Sequence, residues 1–413
     1  MNRRHRSVIV FVLIASVFIL GYRFNSHYVN DYQSAYIRKT TPIVPKLMAG
    51  YNPPNASQQV IDLFENENPL IPPQYSNLLD VEDYISGGNE QKYIPFFWHV
   101  YRTGGGTMAQ LLGECLQLTL ASSFSFPIDS KFVSDVPRII RYDNAKYMNV
   151  NLWTRVGIQR AKSMAIVHEV KTDRGEIWID AVISPDLDGI TATLFSKKDT
   201  DSSPMKGAMF ILSRNPIERE ISKFFSTQQQ NTKSGARNFS LSDWINAPIY
   251  SDNTMVRQLV GKSDLESDIS MNDLLVAKEV LRRKCVIGLL QEKQESWRRI
   301  QHLFHDRWNM KDRKIDTVCQ DRMLNWGWKN RNNVKAFIDM TIGDELQTKE
   351  EGVIDKTTYN MIAARNQMDL LLYEYTKHLF VEQTRLYEDH EVSLSVAGNH
   401  RADNTPVVSN GTE

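Results

Sequence analysis

Phe96–Leu118, FFWHVYRTGGGTMAQLLGECLQL, places a short apolar run, a glycine-rich turn and an amphipathic run in immediate succession. Phe96, Phe97, His99 and Val100 read as a buried strand, and Gly104, Gly105 and Gly106 leave backbone N–H groups uncovered. Thr107 then opens a helix whose Met108, Leu111, Leu112 and Cys115 share one face. A helix N-terminus presents unpaired N–H donors and a partial positive charge, so this order of elements makes a cradle for an anion. It is not a Walker A loop, because GxxxxGK[ST] requires Lys directly before the Ser/Thr and Gly106 stands there. The cation comes earlier, at Arg102. A turn rich in glycine for conformational reasons alone is the competing reading.

A second segment of the same grammar begins at Gly207 and reads GAMFILSRNPIEREISKFF. Ala208 to Leu212 form an apolar strand, Arg214 follows it, Asn215 and Pro216 start a helix, and that helix carries Arg219 and Ser222. A guanidinium at a strand end can grip a pair of phosphate oxygens, and a hydroxyl two turns later can donate to the same group. Solvated charges at a helix start are the bland alternative.

Together the segments resemble the membrane-bound, Golgi-type carbohydrate sulfotransferases related to the heparan sulfate sulfotransferases. That family carries a 5′-phosphosulfate loop HVPKTGGTT and, after a strand, a 3′-phosphate motif RDPxxRxxS. Here Arg102 stands in place of Lys and Asn215 in place of Asp. Three further segments are similar to family patterns: Asn253–Gly261 to NxxTRxLxG, Ala277–Ser296 to AKxxLxxxxxxGLTExxxxS, and Asn366–Gln383 to NxLDxxLYxYAxxLFxxQ. In the last of these Met368, Leu371, Leu372, Tyr375 and Leu379 make one apolar stripe, with Asn366 and Asp369 placed as a cap. The likeness covers residues 91–388.

The resemblance implies a sulfotransferase that moves a sulfuryl group from 3′-phosphoadenosine 5′-phosphosulfate (PAPS) to a glycan hydroxyl, with no metal. It assigns Arg102, Thr103, Gly104, Gly105, Gly106, Thr107, Arg214 and Ser222 to the donor, with Arg102 also in the catalytic position. His168 is the expected general base, because it follows the run Ala165-Ile166-Val167 between the two motifs and imidazole accepts a proton near neutral pH. A hydrogen-bonded structural histidine is its alternative. His99 reads as structural, and His302 and His305 are weaker candidates on a polar helix. A relative that binds glycan or nucleotide without turnover is the second functional reading, since Arg102 and Asn215 both depart from the pattern.

The expected order is a strand, cradle and helix (93–118), a strand at Met164–Val167, a hairpin over Glu176–Phe195, strands at Ala208 and at Cys285–Leu289, and helices to the end. Such alternation gives an α/β fold with a mainly parallel central sheet flanked by helices. The resemblance makes it a P-loop-like three-layer fold. The hairpin rests on the alternation of Ile177, Ile179, Ala181 and Ile183 and on turn signals at Pro185-Asp186 and Asp188-Gly189. It reads as an insertion and a candidate acceptor-site wall, or as a decorative surface hairpin.

Arg3, Arg4, His5 and Arg6 precede an uncharged apolar run over 7–22, read as a transmembrane signal anchor with residues 1–6 in the cytosol and the remainder in the lumen; a cleaved signal peptide is the competing reading, but Tyr22, Arg23 and Phe24 follow Gly21 in place of a clear small-x-small cleavage site. The family resemblance makes that membrane the Golgi's. Residues 23–90, rich in Asn, Pro, Tyr and Ser, read as a stem, and 389–413 as a disordered polar tail. Sequons at Asn55, Asn238 and Asn410 suit a luminal domain. The chain balances 49 basic against 49 acidic residues, so no global field calls for nucleic acid. Three cysteines allow at most one internal bridge. With Cys115 and Cys285 in buried elements, Cys319 is the cysteine expected to be unpaired.

Overall fold

A computed structural model describes residues 70–384 apart from 86–92, 123–135, 143, 168–169, 173–174, 178, 198–204, 235–238, 249, 263–266, 306, 309, 311–314 and 327–355. The expected anchor, most of the stem, the tail, the asparagines of all three sequons and His168 lie outside the described residues. Among the described residues no helix is long and apolar enough to cross a membrane.

The strands are β1 (Tyr93–Trp98), β2 (Thr119–Ala121), β3 (Ile139–Tyr142), β4 (Ala145–Met148), β5 (Val170–Thr172), β6 (Gly175–Ile177), β7 (Ala181–Ser184), β8 (Lys206–Ser213) and β9 (Cys285–Leu289). Seven form one sheet in the order β3-β4-β2-β7-β1-β8-β9. Every pairing in it is parallel except that of the edge strand β3 with β4. Pro95 lacks an N–H, and it stands one residue before the ladder with β7 begins at Phe96↔Val182.

Period-2 alternation divides the apolar side chains of these strands between two cores. Ile94, Phe96 and Trp98 of β1, Met209 and Ile211 of β8, and Ile287 of β9 join one core, which the helices Arg155–Ser163, Thr254–Leu259, Met271–Lys284 and Gln367–Glu382 cover. Phe97, Ala208, Phe210, Leu212 and Val286 join the other. That second core is covered by Gly105–Gln110 with its wider continuation Leu111–Cys115, by Lys293–Leu303 and by Thr317–Trp326. Helix, sheet and helix thus make three layers, as a sheet buried on both faces requires.

Several expectations are corrected. Ala181–Ser184 is no part of a surface hairpin: β7 lies between β1 and β2, and all four of its residues are buried. The turn signals after it serve a helix start, with Asp186 Oδ1 accepting the Gly189 N–H at 2.9 Å. The hairpin is made instead by β5 and β6, which pair antiparallel. Met164–Val167 is no strand either. Ala165 has φ 53°, and the Ala165 and Ile166 N–H groups bond back to Lys162 and Ala161, closing the preceding helix.

Cys319 is paired, with Cys115, across 204 residues and a Cα separation of 5.5 Å. The free thiol is the buried Cys285, whose pKa desolvation pushes well up. Residues 70–85, read as stem, include Tyr75, Leu78, Leu79 and Val81 buried against the fold, with Leu78 bridged to Gly207.

Asn366 and Asp369 cap in a way the sequence did not suggest. Asp369 accepts the Met255 and Val256 N–H groups at the start of the Thr254–Leu259 helix, while Asn253 Oδ1 accepts those of Met368 and Asp369. Each helix is capped by a residue from the other. A second compact unit has Asp243–Tyr250 as its described part, with Trp244 edge-on to Tyr250.

Candidate functional site

The two glycine- and arginine-bearing segments leave neighbouring parallel strands. β1 and β8 pair from Tyr93↔Lys206 to Phe97↔Phe210, so the turns that follow them open on the same carboxyl edge of the sheet. The chain departs from β1 toward β2 on one side and later places β8 on the other, and a crevice at the ends of strands is expected where order reverses.

After β1 the His99 N–H still bonds to Ser184 O at 2.9 Å, and the chain then turns sharply. Arg102 takes φ 66° and Gly104 φ 97°, two left-handed residues within three positions. A non-glycine residue there carries strain, and the cavity of N–H groups formed by such alternating turns suits an anion. Thr103 is fully buried, and its hydroxyl donates to Val100 O at 2.8 Å, so the side chain staples the loop. The first backbone bond of the following helix runs from Met108 N–H to Gly104 O, which leaves the N–H groups of Gly105, Gly106 and Thr107 outside the helical ladder.

The second segment closes over the first. Arg214, 8 % exposed directly after β8, donates from Nη1 to the Arg102 carbonyl at 3.1 Å and from Nε to Glu218 Oε2 at 3.2 Å. Arg102 in turn donates from Nε to Ser222 Oγ at 3.0 Å and from Nη1 to Ser226 Oγ at 3.4 Å. Arg102, Arg214 and Ser222 therefore meet, although 112 residues separate the two arginines. Asn215 Oδ1 accepts the Ile217 N–H at 2.9 Å, the helix-capping role that Asp also fills, so this departure from the family pattern leaves the cap intact. Arg219 points away from the site. It is buried with Asp369 at 2.8 Å and Glu220 at 3.3 Å, and ties its helix to the C-terminal one.

His99 is the residue that sequence reasoning undervalued. It is 6 % exposed, stacked on Phe97 at 5.8 Å and edge-on to Trp153 at 5.5 Å, and burial lowers its pKa to about 4. Its ring fills the place a side chain at Gly105 would take: an ideal Cβ there would lie 1.9 Å from both Nε2 and Cδ2. A histidine at a strand end with glycine beyond it was the available signal, but nothing in the sequence says which glycine the ring covers.

Elsewhere, a cleft of about 510 Å³ is lined by Arg141, Lys146, Arg322, Glu114 and Asp316 beside the disulfide. It lies at the amino ends of β2 and β4, on the opposite edge of the sheet from the cradle. Among the described residues no group of three His, Cys, Asp or Glu is placed to hold a metal. No family model matches the chain, and no curated protein sequence matches it.

Proposed function

We propose that the chain is a PAPS-dependent carbohydrate sulfotransferase, a luminal enzyme of the Golgi membrane that acts on a glycan hydroxyl. One observation carries the reading: the two segments that resemble the family's phosphate motifs meet at the carboxyl edge of the sheet through Arg102, Arg214 and Ser222. The residues present fit the donor. The N–H groups of Gly105, Gly106 and Thr107 and the Arg102 guanidinium suit the 5′-phosphosulfate, and Arg214 with Ser222 suits the 3′-phosphate.

The donor supplies an activated sulfuryl group with a phosphate leaving group. In the transfer a bond forms between the acceptor oxygen and sulfur while the bond from sulfur to the phosphate oxygen breaks. The acceptor proton goes to a base, and negative charge grows on the leaving oxygen. Arg102 stabilises that charge, but as a fixed cation it does not readily give the oxygen a proton. His168 is the proposed base, on its order in the chain. The Cys115–Cys319 disulfide belongs to an oxidising compartment, which supports the luminal placement.

The alternative is a glycan- or nucleotide-binding relative without turnover, favoured by the arginine at position 102 and its bonds to Ser222 and Ser226. Labelled PAPS offered with a panel of luminal glycans, beside calorimetry with PAP (the desulfated donor) and with the same glycans, separates the readings. Transfer supports the enzyme, PAP or glycan binding without transfer supports the relative, and the absence of transfer, PAP binding and glycan binding together overturns both.

A further inference from the structure

We propose that His99 contacts the ligand held in the cradle, its Nε2–H donating a hydrogen bond to an oxygen of the phosphosulfate group. The identity of that ligand rests on the sulfotransferase reading; the donor role of the ring rests on the cradle's own geometry.

The two ring nitrogens sit in different surroundings. Nδ1 is sealed from solvent and has no hydrogen-bond partner among the described residues. Nε2 is also unbonded among the described residues, but it is not sealed, and it lies on the Gly105 side of the ring. An N–H enclosed without an acceptor forfeits its water bonds with no replacement, a loss on the order of 1–3 kcal/mol, and an orphaned N–H is rarer in proteins than an under-satisfied acceptor. The proton of the neutral ring therefore belongs on Nε2, with Nδ1 as the bare lone pair. Lowering of the pKa to about 4 by burial keeps the ring neutral around pH 7.

Packing holds the ring in that pose. Phe97 stacks on it, Trp153 meets it edge-on, and Gly105 has no Cβ to keep it from the loop. The same loop carries Arg102, whose carbonyl is bonded to Arg214. A neutral donor fixed in this way complements a fixed cation: Arg102 supplies charge, and His99 supplies direction at an oxygen that gains charge during transfer.

The test uses the full-length chain with its histidines labelled with ¹⁵N, the His99 signal being assigned by its loss in His99→Gln. Before ligand is added, the ring should show the Nε2-protonated tautomer, and its Nε2 signal should shift when PAP is titrated in. His99→Phe keeps a ring between Phe97 and Trp153 but removes the donor. It should lower the product of PAP affinity and transfer rate by about 10²-fold, with His99→Gln recovering part of the loss through its amide N–H. An Nδ1-protonated ring, an unmoved Nε2 signal in PAP-bound protein, or full affinity and transfer in folded His99→Phe overturns the proposal. If the native protein binds no PAP, the sulfotransferase reading fails by itself. Titration with inorganic pyrophosphate then decides the donor role: a shifted Nε2 signal supports it, and an unmoved one overturns it.

Discussion

Two buried polar clusters in this molecule differ in what their groups are bonded to. Around Asn253, Arg219, Asn366 and Asp369 the polar atoms serve the protein itself. The Asp369 carboxylate takes two backbone N–H groups and the Arg219 guanidinium, Asn253 Oδ1 takes two N–H groups, and Asn366 both accepts from Asn253 and donates to Ile362. At the strand ends, His99 has neither ring nitrogen bonded among the described residues, and the N–H groups of Gly105, Gly106 and Thr107 lie outside the helical ladder. Both clusters contain residues that resemble family motif positions, and Arg219 and Arg214 stand five residues apart on one segment. Resemblance alone does not separate an arginine that holds helices together from one that faces a ligand. Their partners differ: Arg219 pairs with the Asp369 and Glu220 carboxylates, and Arg214 with the Arg102 carbonyl and Glu218 beside the cradle.

The comparison breaks most visibly at Asp369. Asp369→Ala leaves the Arg219 charge buried and two helix N–H groups uncapped, so it should cost about 3–5 kcal/mol of stability, measured by urea unfolding. PAP affinity of the fraction that remains folded should stay near wild type. A stable Asp369→Ala protein that fails to bind PAP would reverse the roles of the two clusters.

Acid offers a second test. His99 has its folded pKa lowered to about 4, below the ordinary 6.5, so the unfolded chain binds the proton more tightly. The His99 contribution to stability is constant above pH 6.5 and falls as pH drops from about 6.5 toward 4, by an amount on the order of 3 kcal/mol. Unfolding curves across this range should show a slope that His99→Phe flattens, and an unchanged slope would mean that the ring is not buried neutral.

The smallest effect is expected at Asn215. Asp and Asn cap helices about equally well, so Asn215→Asp should change stability by less than about 0.5 kcal/mol. A larger change would show that Asn215 does more than accept the Ile217 and Glu218 N–H groups.

What could be read from the sequence follows from which interactions are local. The strands β1, β8 and β9 are largely apolar runs, β1 leading into the glycine turn, β8 followed by Arg214 and β9 preceded by Lys284, and β9 has the expected bounds, Cys285–Leu289. β7 was misread because its flanking Asp186 looks like a hairpin turn residue and is a helix cap. Met164–Val167 was misread because four apolar residues suit a strand as well as a buried turn. The pairing of Cys115 with Cys319 spans 204 residues, and no local pattern encodes it. The cradle was legible as a motif. Its closure by Arg214 was not, since that depends on β1 and β8 being neighbours, and the contact of His99 with Gly105 depends on the angle at which the helix leaves the sheet.

The most direct test of the central claim, that the cradle and the Arg214 segment form one PAP site, is calorimetry of PAP with Arg214→Ala beside the native protein. Removing a charge-assisted contact to the ligand should weaken binding by roughly 1.5–3 kcal/mol, a loss of about ten- to a hundredfold, while the fold persists. Unchanged PAP affinity in folded Arg214→Ala would contradict the account.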